Sequence, residues 1–272
     1  MLNLLKHEIK SRRGAIIGWG IGLFLFGAMY IGIYPEFSEQ MADLGDMSIY
    51  EAMAIDMTTF EGYAASVMIQ YVPIILVIYA IIAGTGTLAG EEDSGTLELV
   101  LAMPLHRWQI VSMKAIALAV ATFLMVVIAA IGYAVGLAMI EGQIETDVTT
   151  VDMFIATLSG WPITFTFMMI GLFLGTYLPN RRTAALATTV IFIASYFGTL
   201  LAGMVDSLAS LAPVSPFHYF DVTPALFTEG IQASDVLTLL LVAVIFFGLA
   251  VISFQRRNIT VGAWPWQRAT VN

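Results

Sequence analysis

Residues 115–140 read AIALAVATFLMVVIAAIGYAVGLAMI, running from Ala115 to Ile140 without one Asp, Glu, Lys or Arg. A bilayer's hydrocarbon core is about 30 Å thick, and at about 1.5 Å per residue a helix of this length crosses it. No water reaches the backbone there, so each N–H and C=O must bond within the segment, which a helix does. Lys114 and Arg107 stand before this window and Glu141 follows it, so its two ends differ in charge.

Working outward, five further charge-free windows appear, at 14–35, 62–90, 153–180, 183–205 and 236–255. Each is long enough to cross, which predicts six transmembrane helices, over about 14–35, 62–90, 110–140, 153–179, 183–205 and 235–255. The chain, 1–272, then reads as one membrane domain. Its composition agrees: 59% of the 272 residues are hydrophobic and 11% charged, with a mean hydropathy of +0.87. Soluble domains carry about a quarter charged residues, so a water-exposed fold is excluded.

The net charge of −9 is sorted by position. Lys6, Lys10, Arg12 and Arg13 precede the first window, Arg107 and Lys114 the third, and Arg181 and Arg182 the fifth; Arg256, Arg257 and Arg268 follow the sixth. The other three loops hold no Lys or Arg and are acidic. Basic residues stay on the cytoplasmic side of short loops, which predicts cytoplasmic termini and a multi-pass protein of the cell membrane. The first window is too long for a signal-peptide core and lacks a small-residue cleavage pattern, so it is expected to be retained.

Chemistry-bearing patterns are sparse. Zero cysteines removes thiolate metal sites and cysteine nucleophiles, and His7, His106 and His218 lie far apart in sequence, so no metal site and no catalytic residue is expected. No phosphate loop occurs; Gly84-Thr85-Gly86-Thr87 lies inside an apolar window and lacks the lysine. The windows contain no ionisable residue to carry a driving ion, and Lys114, at a border, is expected to snorkel to the headgroups. Threonines in the windows suit interhelical packing or a path lining. Glycines four apart, Gly14-Gly18-Gly22, Gly132-Gly136 and Gly171-Gly175, permit close helix approach, within the chain or between copies.

One loop breaks the charge rule. Between the second and third windows, 90–108 reads GEEDSGTLELVLAMPLHRW, with Glu91, Glu92 and Asp93 on the basic side. An acidic turn, a short helix from about Thr96 to Met103 and a stop at Pro104 are predicted, with Leu97, Val100 and Leu101 on one face. Such a segment lies across the inner ends of two spans and is shaped to dock a partner.

Glu91, Glu92, Gly95, Thr96, Leu97, Glu98, Leu101, Pro104 and Arg107, with Lys114 seven residues on, resemble the coupling-helix segment of ABC-2 type permeases. Pro213, Ser215, Pro216, Phe217 and Tyr219 resemble that family's external segment before the last span, placed at 206–234. Leu2, Leu5 and Ile9 opposite Lys6, Lys10, Arg12 and Arg13 resemble its amphipathic interfacial helix. The resemblance implies an all-α integral membrane fold with six transmembrane helices, an N-terminal amphipathic interfacial helix and a cytoplasmic coupling helix between spans 2 and 3, similar to type V exporters. It implies a permease subunit, not itself an enzyme, that moves a hydrophobic or amphiphilic substrate outward. ATP and magnesium would be bound by a separate ABC ATPase subunit, and a second permease copy or close paralogue would complete the assembly in membrane lipid, with no nucleic acid involved. Glu91, Glu92, Glu98 and Arg107 would supply polar contacts to the ATPase, Leu97, Val100 and Leu101 the apolar knob, and Gly95 and Pro104 its shape. An accessory, immunity or sensor subunit that binds an ATPase without moving cargo is the alternative.

Overall fold

The computed structural model describes residues 2–42, 59–93, 104–220 and 222–257, together with Gly95 and Leu97. Helix α1 (Leu2–Ser11) leads through Arg12 into α2 (Arg13–Gly32), and α3 (Tyr34–Ala42) follows with Pro35 in its first turn. Next come α4 (Phe60–Gly90) and α5 (Arg107–Met139). Span 4 is built from α6 (Thr150–Leu158) and α7 (Gly160–Tyr177), and α8 (Arg181–Met204) is span 5. Two 3-10 segments, Asp206–Val214 and Pro216–Tyr219, and the short α9 (Ala225–Thr228) lead to α10 (Ala233–Arg256). Among the described residues six helices are long and apolar enough to cross a membrane and no strand occurs.

Helix starts follow local chemistry. Asn180 caps α8 by accepting from the Thr183 N–H at 2.9 Å, and Thr149 and Asp152 form a reciprocal box at the start of α6. Span 2 is irregular at both ends: Tyr63–Ile69 and Gly86–Gly90 are π-helical. Pro73, which has no N–H to give Ile69, sits just past the first of these.

Glycines set the packing. A Cβ on Gly132 would overlap the Phe24 backbone, and one on Gly136 would lie 3.0 Å from Ala28 Cα, so α5 and α2 touch along their backbones. Gly84 meets α7 in the same way, where a Cβ would stand 2.6 Å from the Met168 carbonyl oxygen, and Gly175 meets Thr85. Of the three spaced sets, Gly132-Gly136 and Gly171-Gly175 therefore serve packing within the chain. Gly14, Gly18 and Gly22 do not: they face an open apolar groove beside Trp19, Phe26 and Ile75.

Spans 2, 3 and 4 form the interior, with α2 laid on α5 and α10 on α7. The core includes Leu76, Leu118, Met125 and Phe167. Spans 1, 5 and 6 keep apolar outer faces, such as Leu186, Val190 and Phe197 of α8. Most span threonines bond to their own helix, as Thr164 does to the Gly160 carbonyl at 2.7 Å; Thr166 also crosses to the Leu239 carbonyl at 3.0 Å.

Candidate functional site

The basic ends of the spans meet around the last turns of α4. Thr85 and Thr87 turn their hydroxyls back onto the Ile81 and Ala83 carbonyls, at 2.6 and 2.5 Å, in the α-helical turn that leads into the π-helical Gly86–Gly90. Arg12 Nη2 donates to Thr87 Oγ1 at 3.0 Å and pairs with Glu8 at 3.3 Å. Gly86 and Gly90 leave room for the Arg181 side chain, which a Cβ on Gly86 would approach to 3.2 Å.

Beyond Gly90 the chain makes one more helical turn, Glu91–Asp93. Glu91 Oε1 lies 2.5 Å from Lys114 Nζ, and the same ammonium lies 2.6 Å from Glu8 Oε1. Lys114 is fully buried. The expectation that it snorkels to the headgroups is therefore corrected: it points into the protein, where two carboxylates from distant segments replace the water it would have sought.

Glu92 pairs with Arg257 at 2.8 Å, both side chains being buried. Arg257 also donates to the Gly175, Thr176 and Leu178 carbonyls at 3.0, 2.8 and 3.0 Å, and to that of Pro179 at 3.3 Å. These include carbonyls that the end of α7 leaves without helical donors, so the guanidinium caps span 4. Arg107, at the start of α5, donates to the Phe254 and Arg257 carbonyls at 3.2 and 2.6 Å and thereby holds the end of α10.

The acids Glu8, Glu91 and Glu92 and the bases Arg12, Lys114 and Arg257 make a balanced set of six charges. Such pairs are screened little by salt, and loss of one partner strands the other in a dry site. The set joins α1, the turn that follows α4, α5, α7 and the end of α10.

The connection between spans 2 and 3, residues 90–108, is described in part. Gly95 has a φ of +72°, which glycine adopts without steric cost, and its N–H bonds to the Glu92 carbonyl at 3.1 Å, closing the acidic turn. Leu97 is buried in the chain's own core and is not offered outward. Pro104 is exposed, and Trp108 is 45% exposed. Thr96, Glu98, Val100 and Leu101 lie outside the described residues.

Helix α1 forms, but its inward face differs from the expected one. Leu4 and Glu8 are buried, Leu5 and Ile9 are half-buried, and Lys6, Lys10 and Arg13 are exposed. Arg12 turns inward rather than joining the lysines, because Glu8 one turn earlier and Thr87 across the interface accept its donors. At the opposite end of the bundle, Ser215 Oγ donates to the Ser195 carbonyl at 2.9 Å and accepts from Thr199 at 2.7 Å. Phe217 inserts between Phe167, Phe192 and Tyr196, and the Tyr219 hydroxyl donates to the Pro213 carbonyl at 3.1 Å.

Sequence reasoning missed Glu8 and Arg257 as members of the cluster. One signal was present: Glu8 is an acid among the basic residues of the N-terminal segment, four residues before Arg12. For Arg257 there was none, because its carbonyl partners carry no mark in a sequence.

A helical bundle with six membrane-length spans, its basic residues gathered at one end, defines a multi-pass membrane protein. The family model for ABC-2 family transporter proteins matches residues 2–259, and the chain belongs to that family. No curated protein matches the chain.

Proposed function

We propose that this chain is the permease subunit of an ABC exporter, with the basic end of the bundle in the cytoplasm. A separate ATPase subunit docks on the segment 90–108, and a second permease copy completes the path across the membrane. ATP and magnesium belong to the ATPase. Membership of the ABC-2 transporter family supports a transport role, since such membrane components work with an ATPase. The observation that carries the reading is the connection between spans 2 and 3: it leaves α4 at a turn held by buried ion pairs and returns at Arg107, which grips the end of α10.

In this reading Glu98, Val100 and Leu101 meet the ATPase, with Gly95 and Pro104 bounding the segment. ATP-driven closure of two ATPase subunits moves it, and α4 and α5 follow, switching the path between two arrangements. The apolar faces of spans 1, 5 and 6 fit lipid, the second copy and a hydrophobic or amphiphilic cargo.

The test is to solubilise the tagged chain mildly from its native membranes and identify what accompanies it. A stoichiometric ATPase, retained by the native chain and lost on Glu98→Lys while membrane insertion persists, is the expected result. A chain recovered alone, or one whose ATPase is indifferent to Glu98→Lys, defeats the docking assignment.

A further inference from the structure

Glu91 and Glu92 are adjacent in sequence but diverge in space. Successive helix residues point about 100° apart, so the two carboxylates leave the end of α4 toward different neighbours. Glu91 reaches Lys114 on α5, and Glu92 reaches Arg257 past the end of α10. Two of the three acids that break the charge pattern of the basic side are thus paired within the chain. Their ion pairs also mark the point at which the docking segment leaves the bundle.

Lys114 occupies the junction. It is fully buried and holds Glu8 of α1 and Glu91 at once, at 2.6 and 2.5 Å. Glu8 in turn holds Arg12, which reaches Thr87 in the π-helical turn of α4. An ammonium between two carboxylates in a water-poor site forms a short-range joint, because the attraction is little screened while the groups touch.

We propose that Lys114 is a positioning residue for coupling: with Glu8 and Glu91 it fastens the start of the docking segment to α1 and α5, so that all three move as one body. The proposal rests on the docking role given above to residues 90–108. It also deepens that role, since Glu91 and Glu92 hold the segment to the permease rather than to the ATPase.

The chain has no cysteine, so paired labels can be placed without background. Spin labels at Lys6→Cys on α1 and Pro104→Cys, both exposed positions, report one distance by pulsed electron paramagnetic resonance. The full chain is measured in lipid nanodiscs with its copurified ATPase, first free of ATP and then trapped with ATP and vanadate. The native network should give a single narrow distance that persists in both states.

Because Lys114→Met alone removes the cation between two carboxylates, the deciding variant is the charge-balanced Glu91→Gln/Lys114→Met, in which Glu8 keeps its pair with Arg12. It should keep the ATPase through purification yet lose the single narrow distance, whereas Lys114→Arg should retain it. A charge-balanced variant with the native distance in both states overturns the proposal. If the native chain purifies without any ATPase, the docking reading fails, and the ATP-free comparison of the two chains still judges the linkage.

Discussion

A lysine whose ammonium touches two carboxylates, with no exposed surface, owes its charge to its neighbours. Lys114→Met should therefore destabilise the chain by about 3–5 kcal/mol, the cost of leaving buried charge without its partner. The check is thermal unfolding in detergent, where restoring the charge balance with Glu91→Gln, which leaves Glu8 paired with Arg12, should recover much of the loss. Gly132 is constrained by sterics alone. Gly132→Leu places a side chain where the Phe24 backbone stands, and the folded yield in membranes should collapse, as measured by the monodisperse fraction on gel filtration. Gly132→Ala meets the same backbone and should also lose yield, less severely.

At the scale of elements, the ends of the helices are bound to one another by side chains that reach across. Arg257 shows why the identity of the cation counts. Its planar fork serves four carbonyls near the end of α7 and the Glu92 carboxylate together, which a lysine's single ammonium cannot match. Arg257→Lys should thus keep the charge and still lose about 2 kcal/mol, since hydrogen bonds to charged groups contribute about 1.5–3 kcal/mol each. The same thermal assay measures it, and a full retention of stability would show that the charge alone matters. Span 2 carries a π-helical turn at each end, and at both a side chain from another segment intrudes. Tyr133 donates to the Met68 carbonyl at 2.9 Å in the first, and Arg12 meets Thr87 in the second. The irregular turns are where span 2 yields acceptors to its neighbours.

For the whole molecule, the sorted charges set an orientation that can be measured. In intact cells, a membrane-impermeant thiol reagent should label Glu145→Cys, in the acidic loop between α5 and α6, and should not label Lys10→Cys until the membrane is opened. The reverse pattern would invert the proposed topology. The interior of the bundle is formed by spans 2, 3 and 4, leaving spans 1, 5 and 6 with apolar outer faces. Those faces need no partner to be stable in lipid, because hydrocarbon chains solvate them as well as another helix does.

Six membrane-length helices were legible in the sequence because transfer of an apolar side chain into hydrocarbon is a term that each residue contributes where it stands, and the proposed sidedness rests on another such term, retention of a cation on one side. The acidic run beginning at Glu91 was legible as an anomaly for the same reason. The direction in which its carboxylates turn was not, since Glu8 and Arg257 are separated from it by long stretches of chain and meet it only once the helices pack. Hydropathy likewise placed Lys114 at a membrane border, where a flexible lysine extends to water. Only the tertiary structure brought two carboxylates within reach of its ammonium, and a buried charge with partners has no need of the interface. The glycines divide in the same way: their spacing was visible in the sequence, and which sets carry backbone contact was decided by the approach of α2 to α5 and of α4 to α7.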